Sequence, residues 1–341
     1  MEASSLARRI LGELLLVATS IAIGLAIGGI VALLYGAPPG DVLESLFTSY
    51  RLYPDMVVEY AAVLTLTGLA FAIPLHAGLF NIGGEGALYA GALTFLVVAL
   101  HTGSLPLALL AAGAAGAALL ALAGVLRVYL GVNEVLSTIM LNWVVYWILL
   151  YIVIVYLADP VNPQRTLRVP ESARLPRLPL AGGVPSTIVF SAILAVASFA
   201  VLRMSRWGLL LRASGANPHA STERGVPVRA YQVASMAAAG LLAGLAGGIH
   251  IAGYSLSIDV LGGTVRNYGY TGIGVALAGR NDPLGILVAA FFFSLLAAGS
   301  QSVEPVYGIP KELADVVAGV IVVALAAPEA IRLLARKARV G

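Results

Sequence analysis

The sequence contains no cysteine and few charged residues, which make up 11% of its 341 positions. The absence of cysteine excludes disulfides, thiolate metal sites and a cysteine nucleophile. The scarcity of charge argues against an ordinary water-soluble chain, because 60% of the residues are hydrophobic and the mean hydropathy is +0.94. We therefore expect lipid to be the main solvent, as it is for an integral membrane protein.

The motifs of common catalytic and cofactor sites are also missing. There is no Gly-x-x-x-x-Gly-Lys-Ser/Thr segment, so this chain does not bind ATP phosphates by the P-loop route. No His-Glu-x-x-His zinc motif or Gly-x-Ser-x-Gly nucleophile elbow occurs, and the four histidines are scattered. We predict no enzyme activity, no metal site and no bound cofactor.

The basic residues do not predict nucleic-acid binding. The formal net charge is only +3, and the Lys and Arg residues lie at the ends of apolar blocks rather than in one cluster. This placement is typical of residues that set the orientation of membrane helices.

Ten apolar blocks approach the length of about 20 residues that a helix needs to cross a bilayer. The eighth block is short and rich in glycine, and we expect a broken or half-crossing helix there. A weak likeness between residues 81–86 and 280–285 indicates an internal pseudo-repeat. The sequence thus predicts an all-α polytopic membrane bundle that forms one transmembrane domain over residues 1–341. The ten blocks are residues 14–34, 57–75, 80–100, 105–126, 141–157, 186–202, 231–252, 270–279, 284–299 and 313–327.

The distribution of basic residues predicts the orientation of the chain. With a cytoplasmic N-terminus, alternating crossings place thirteen of the twenty Lys and Arg residues inside, as the positive-inside rule expects. The loop at about residues 203–229 is then cytoplasmic, and the proline-rich loop at about residues 158–185 is external. The external loop carries four Arg residues, but the reverse orientation would put even more charge outside. We predict a multi-pass protein of the cell (plasma) membrane with both termini in the cytoplasm.

Residues 78–86 join two apolar blocks with almost no loop and contain two polar side chains, Asn81 and Glu85. These lie four residues apart, on one face if the segment is helical. An ionisable group inside a membrane needs a protein or water partner. Three roles stay open for Glu85: it lines a solute path, it accepts hydrogen bonds from freed backbone amides, or it caps the helix that it begins.

Residues 133–143 form a second polar segment, which enters the fifth block from the inside. Asn133 and Glu134 are typical of a helix start. Ser137, Thr138 and Asn142 present hydroxyl and amide groups either to a polar solute or to neighbouring helices.

The predicted cytoplasmic loop at residues 203–229 contains a short helix that we expect to start near Asn217 or Pro218. Flanked by turns and basic residues, such a helix is suited to docking on a cytoplasmic partner. As a bare pattern it is equally a solvated loop.

Three runs of the sequence carry a family resemblance. Residues 79–86, 133–142 and 272–285 together resemble the permeases of ABC importers for simple sugars and nucleosides, of the branched-chain amino acid type, over nearly the whole chain. Residues 163–166, followed by Leu175 and Pro176, resemble the external loop of the nucleoside branch. The receptor of that branch is a lipoprotein of the basic membrane protein type.

The resemblance implies a fold, partners and a docking loop. It implies that the ATPase is a separate chain. It also implies that two further proteins complete the importer around this lipid-embedded subunit: a second permease, either a related chain or a copy of this one, and an extracytoplasmic substrate-binding lipoprotein. Ala216 replaces the usual acidic residue of the coupling loop, and residues 221–223 depart from the family pattern. The residues that match the family's ATPase-coupling pattern are Gly215, Asn217, Pro218, Ala220 and Gly225.

A polar solute loses hydration in the membrane, so its path must supply partners. We predict that five residues lie along or beside this path: Asn81, Glu85, Ser137, Asn142 and Trp143.

A first alternative is an ion-gradient-driven secondary transporter in which Glu85 or Asp315 binds the coupling ion. A second is a membrane-embedded enzyme, but the sequence contains no polar catalytic cluster near one interface.

Overall fold

The chain is almost entirely helical over the part that the structure describes. The computed structural model describes residue 19 and residues 21–179, 183–260, 263–265, 267–310, 312–313, 315–317 and 319–324. A two-residue antiparallel pair, β1 (Arg177–Leu178) and β2 (Val184–Pro185), is the paired sheet of the described residues. The all-α prediction is therefore confirmed. The helices are α1 (Ile21–Leu34), α2 (Pro39–Thr48), α3 (Pro54–His76), α4 (Gly84–Thr102), α5 (Leu105–Leu130), α6 (Glu134–Tyr156), α7 (Thr187–Met204), α8 (Arg206–Ala216), α9 (Pro218–Glu223), α10 (Val228–His250), α11 (Tyr268–Ala278), α12 (Pro283–Tyr307) and α13 (Asp315–Ala324).

Seven of the described helices are long and apolar enough to cross a membrane: α3, α4, α5, α6, α7, α10 with its continuation to Ser255, and α12. Each matches a predicted block, so the polytopic bundle is confirmed. The eighth block is α11, whose 11 residues span about 17 Å at 1.5 Å per residue. That is roughly half of the ~30 Å hydrocarbon core. The first and last blocks lie partly outside the described residues, and the count of ten stays a prediction.

The chain divides into two compact units, Met1–Val57 with Phe292–Gly341 and Val58–Phe291. In the first unit, α1, α2, α13 and the later part of α12 enclose a buried apolar cluster that includes Ala32, Leu46, Leu296 and Ile321. The prediction of one domain over residues 1–341 stays a prediction. The second unit holds every candidate site residue except Asp315.

Three helices of the second unit, α4, α5 and α10, pack with their backbones in close contact. A Cβ added at Gly116 on α5 would lie 2.2 Å from the carbonyl oxygen of Gly240 on α10. Small residues at this spacing allow membrane helices to approach closely. Buried apolar side chains such as Leu120 and Met236 fill the remaining space. The close packing of these three helices therefore depends on glycine and alanine residues at their contacts.

Beyond α10 the helix continues as a π-helical turn, Ile251–Ser255, which ends at Leu256 with φ of 57°. The chain then runs alongside the predicted external loop. The Val169 amide donates to the Leu256 carbonyl over 2.8 Å, and the Thr166 amide donates to the Ile258 carbonyl over 2.9 Å. These bonds satisfy the polar backbone of an irregular segment, and they hold the loop against the end of α10.

Candidate functional site

The non-helical turn between α3 and α4 is held by Asn81. Its amide nitrogen donates to the Ala70 carbonyl over 3.0 Å, and its amide oxygen accepts from the Gly83 amide over 2.9 Å. Asn81 is 1% exposed. Both ends of this side chain are therefore bound to backbone groups of its own turn and of α3.

Glu85 lies in the first turn of α4, but its carboxylate binds the beginning of α11. Oε1 accepts from the Asn267 amide and Oε2 from the Gly269 amide, over 2.5 and 2.6 Å. The Tyr89 hydroxyl also donates to Oε1 over 2.5 Å. A Cβ at Gly269 would lie 2.3 Å from the Glu85 nitrogen, so glycine is needed for this approach.

Of the three roles open for Glu85, the structure shows the bonding of freed backbone amides. The first amides of a helix have no partner within it and carry positive partial charge, so a carboxylate stabilises them. Glu85 is fully buried, and it caps α11 rather than its own helix. The N-cap residue of α4 is Gly83, which has no side chain with which to cap that helix.

Asn142 links α6 to both of these elements. Its amide oxygen accepts from the Gly86 amide over 2.8 Å, and its amide nitrogen donates to the Ile82 carbonyl over 3.0 Å. The same nitrogen lies 3.3 Å from the Tyr270 hydroxyl on α11. One side chain thus joins α6, the turn before α4 and the first turns of α11.

A cavity of about 180 Å³ opens beside Asn142. The Tyr146 ring lies 5.5 Å from Tyr89 and 5.8 Å from Trp143, so aromatic faces and edges form much of the wall. The Asn267 side chain and the second lone pair of the Asn142 oxygen are available to a solute, whereas the amide nitrogen of Asn142 already donates to Ile82 and Tyr270. This arrangement suits a flat, polar solute that stacks and forms hydrogen bonds. The lining residues are Tyr89, Asn142, Trp143, Tyr146, Asn267 and Tyr270.

The predicted path residues fall into two groups. Asn142 and Trp143 line the cavity, whereas Asn81, Glu85 and Ser137 are not among its lining residues. The Ser137 hydroxyl donates to the Glu134 carbonyl of its own helix over 3.2 Å. Asn81 and Glu85 lie behind the cavity, where they hold the backbone of the segments around it.

Sequence reasoning missed four lining residues. Tyr89 follows Glu85 by four positions and Tyr146 follows Asn142 by four, so the one-turn spacing of a helix could have found both. Asn267 and Tyr270 come from the start of α11, far along the chain. Their only local signal was the broken, glycine-rich character of that block.

The predicted short helix in the 203–229 loop is α9, which follows α8 after one residue. Asn217 caps α9 by accepting from the Ala220 amide over 3.0 Å, with Pro218 at the first helical position. The Ser221 hydroxyl donates to the Ala213 carbonyl over 3.0 Å, which ties α9 to α8. Residues 216–220 are exposed, so the helix offers a free surface.

The family model described as "Branched-chain amino acid transport system / permease component" matches residues 53–326. The chain belongs to this permease family. It is 32% identical to the guanosine ABC transporter permease protein NupP of Bacillus subtilis, over 96% of this chain and 97% of that protein.

Two further relatives cover most of the chain. It is 30% identical to the glucose ABC transporter permease protein TsgB13 of Haloferax volcanii, over 89% of this chain and 85% of that protein. It is also 30% identical to the nucleoside ABC transporter permease protein NupB of Lactococcus lactis, over 94% of this chain and 92% of that protein. The chain is the membrane-embedded permease subunit of an ABC transporter.

In this permease, the α8–α9 loop lies against the chain that enters the 78–86 turn. A Cβ added at Gly215 would lie 2.3 Å from the His76 carbonyl oxygen and 2.8 Å from the Gly78 nitrogen. The backbone of α8 at Gly215 is therefore in direct contact with the chain at His76 and Gly78. The same segment, residues 78–86, contains Asn81, Glu85 and Gly86. Glu85 binds the first amides of α11, and the Gly86 amide donates to Asn142.

Proposed function

We propose that this permease subunit imports nucleosides across the cytoplasmic membrane, in an assembly driven by a separate ATPase. Simple sugars are the second candidate solute, because one similar protein is a glucose permease. The observation that carries the proposal is the cavity in which tyrosine and tryptophan rings stand beside Asn142 and Asn267. This combination matches a molecule with an aromatic base and several hydrogen-bonding groups.

Nucleosides are favoured over sugars by the share of aromatic groups in the wall. Four of the six lining residues are aromatic. Stacking of a base on an aromatic side chain contributes about 1–3 kcal/mol in nucleic-acid complexes. The Asn267 amide and the remaining lone pair of the Asn142 oxygen replace part of the hydration that the base and ribose lose, which would otherwise cost about 1–3 kcal/mol per group.

A second permease completes the path in this proposal. The cavity volume of about 180 Å³ is below the roughly 300–1,000 Å³ of typical small-molecule pockets. Trp143 is 53% exposed although it lines the cavity, so this wall is open on one side. A companion chain, related or identical, supplies the opposite wall.

The ATPase docks on the α8–α9 loop in this proposal, at Gly215, Asn217, Pro218, Ala220 and Gly225. Exposure of the α9 residues supports docking, and contact of Gly215 with His76 and Gly78 gives the loop a direct route to the 78–86 turn. ATP-driven closure of the ATPases then favours one of two states of the path, by differential binding. The extracytoplasmic lipoprotein delivers solute at the external loop, whose backbone pairs with the end of α10.

The deciding experiment is transport by the reconstituted importer. The permease is placed in proteoliposomes with its ATPase, companion permease and receptor, and uptake of radiolabelled guanosine and of radiolabelled glucose is measured with and without ATP. We expect ATP-dependent uptake of guanosine. Uptake driven by an ion gradient, with the ATPase left out, would contradict the proposal and support the secondary-transporter alternative.

The cavity itself is tested by replacing Trp143 and comparing it with Trp147. Both are exposed residues of α6 one turn apart, but only Trp143 lines the cavity. We expect Trp143→Leu to raise the KM for guanosine by about tenfold, the equivalent of a lost stacking contact. Trp147→Leu is the matched control and should leave KM near that of the wild type. Equal effects of the two substitutions would remove Trp143 from the path.

A further inference from the structure

A second group of buried polar side chains lies outside the cavity and takes no part in the coupling loop. Glu59 on α3 is fully buried, and His250 at the end of α10 is 2% exposed. His250 Nδ1 lies 3.1 Å from Glu59 Oε1, and the Thr187 hydroxyl at the start of α7 donates to Glu59 Oε2 over 2.6 Å. A carboxylate at this depth is costly unless it is partnered, and here both oxygens have partners.

The first residue of α11 packs directly on this group. The Tyr268 ring centroid lies 5.1 Å from that of His250 and 5.5 Å from that of Tyr60. We call Glu59, Thr187, His250 and Tyr268 the Glu59 cluster. It therefore ties the beginning of α11 to the ends of three long helices.

The beginning of α11 is also one wall of the cavity. Asn267 and Tyr270 line the cavity and flank Tyr268 in sequence. Glu85 holds the same turn from another direction, through the amides of Asn267 and Gly269. Asn267 and Tyr270 both belong to the beginning of α11, so a small shift of its first turn moves both lining residues.

The Glu59 cluster also adjoins the irregular end of α10. His250 is the last residue before the π-helical turn, and the Ala252 carbonyl in that turn accepts from the Leu175 amide of the predicted external loop over 3.0 Å. π-Helical turns inside helices occur frequently at functional sites. The cluster therefore lies between this loop and the cavity wall.

We propose that the Glu59 cluster is a positioning device that sets solute affinity, by holding Asn267 and Tyr270 in place through the packing of the Tyr268 ring against His250. The solute in this inference rests on the proposed function. The positioning role does not require the cluster to touch solute, and none of its members is a lining residue of the cavity.

The test uses His250→Gln and Tyr268→Leu in the complete reconstituted importer, with guanosine as the probe. His250→Gln retains a hydrogen-bonding group near Glu59 but removes the ring that packs on Tyr268. We expect both variants to raise the KM for guanosine about tenfold, because displacement of binding groups by about 1 Å has large effects. The rate at saturating guanosine should stay within about twofold of the wild type.

Two further variants separate positioning from general stability. Tyr268→Phe keeps the ring but loses the hydroxyl that bonds with Tyr60, so it should raise the KM less than Tyr268→Leu. Ser191→Ala is the matched control, because Ser191 is also fully buried on α7 but its hydroxyl donates within its own helix, to Ile188 over 3.0 Å. A wild-type KM in both His250→Gln and Tyr268→Leu, with only the yield or the saturating rate reduced, would overturn the proposal.

A measurement without solute keeps this test distinct from that of the proposed function. In a permease carrying Trp147→Phe and Trp207→Phe, Trp143 is the only tryptophan and reports on the cavity. We expect His250→Gln to change the quenching of Trp143 by acrylamide, whereas Ser191→Ala leaves it unchanged. Equal quenching in both would refute positioning even if the importer took up neither guanosine nor glucose.

Discussion

At the scale of single residues, Glu85 and Asn142 show how membrane-embedded polar groups are satisfied. Each uses its side chain to bind backbone groups of another element: Glu85 the amides that begin α11, and Asn142 the chain around Gly86. Burial of such groups is tolerated because their donors and acceptors form hydrogen bonds within the protein. Their role in this permease is to shape the cavity wall.

We expect Glu85→Gln to lower the free energy of unfolding by about 2–3 kcal/mol, because the amide nitrogen of glutamine cannot accept from the backbone N–H groups that the carboxylate binds. Thermal unfolding of the purified permease in detergent measures this change. Uptake of guanosine should fall with it.

The control is Glu171→Gln in the predicted external loop, where the side chain is 91% exposed. It should stay within about 0.5 kcal/mol of the wild type. If Glu85 instead bound a coupling proton, Glu85→Gln would imitate the protonated form, and a stable variant that still binds solute would support that alternative.

At the scale of elements, α4, α5 and α10 form a closely packed frame, and α11 is a short helix held at its first turn. Helix association in a membrane gains little from the hydrophobic effect, because lipid tails are as apolar as leucine. Close backbone contact and dispersion must supply the stabilisation instead. The glycine positions at these contacts are therefore the sensitive ones.

We predict that Gly116→Ala destabilises the permease by about 2 kcal/mol or more, since the new Cβ overlaps the Gly240 carbonyl and separates α5 from α10. The matched control is Gly113→Ala on the same helix. Its Cβ would meet only leucine side chains, the nearest at 3.3 Å, and the change should stay within about 1 kcal/mol. Unfolding midpoints of the two variants in one detergent decide the matter, and equal midpoints would contradict backbone-to-backbone packing.

At the scale of the whole molecule, orientation follows from where the two polar loops lie along the chain. A single long helix, α7, separates the segment at residues 158–185 from the α8–α9 loop. The two segments must therefore lie on opposite sides of the membrane if α7 crosses it. The basic residues predict that the α8–α9 loop is inside.

The cysteine-free sequence allows a direct test of this orientation. Val161 is 92% exposed in the predicted external loop, and His219 is exposed on α9. A membrane-impermeant maleimide should label Val161→Cys in intact cells and His219→Cys only after permeabilisation. The cysteine-free parent is the control for background. Labelling of His219→Cys in intact cells would reverse the predicted topology and exclude ATPase docking at α9.

The sequence by itself determined that lipid is the main solvent of this chain and that the chain is helical. It also located the seven long helices and the short helix near Pro218. It also singled out Asn81, Glu85 and Asn142 as membrane-embedded polar residues that either line a solute path or bond neighbouring helices. These features depend on composition, helical periodicity and local capping, which act over a few residues.

Only the tertiary structure decided what those partners are. Glu85 meets Asn267 across 182 positions, and Glu59 meets His250 across 191. Such contacts follow from the packing of α4, α10 and α11, and no local pattern encodes which distant amide or ring will meet a given carboxylate. For the same reason the sequence did not identify Asn267 and Tyr270 as cavity residues. They line the cavity because α11 packs beside α4.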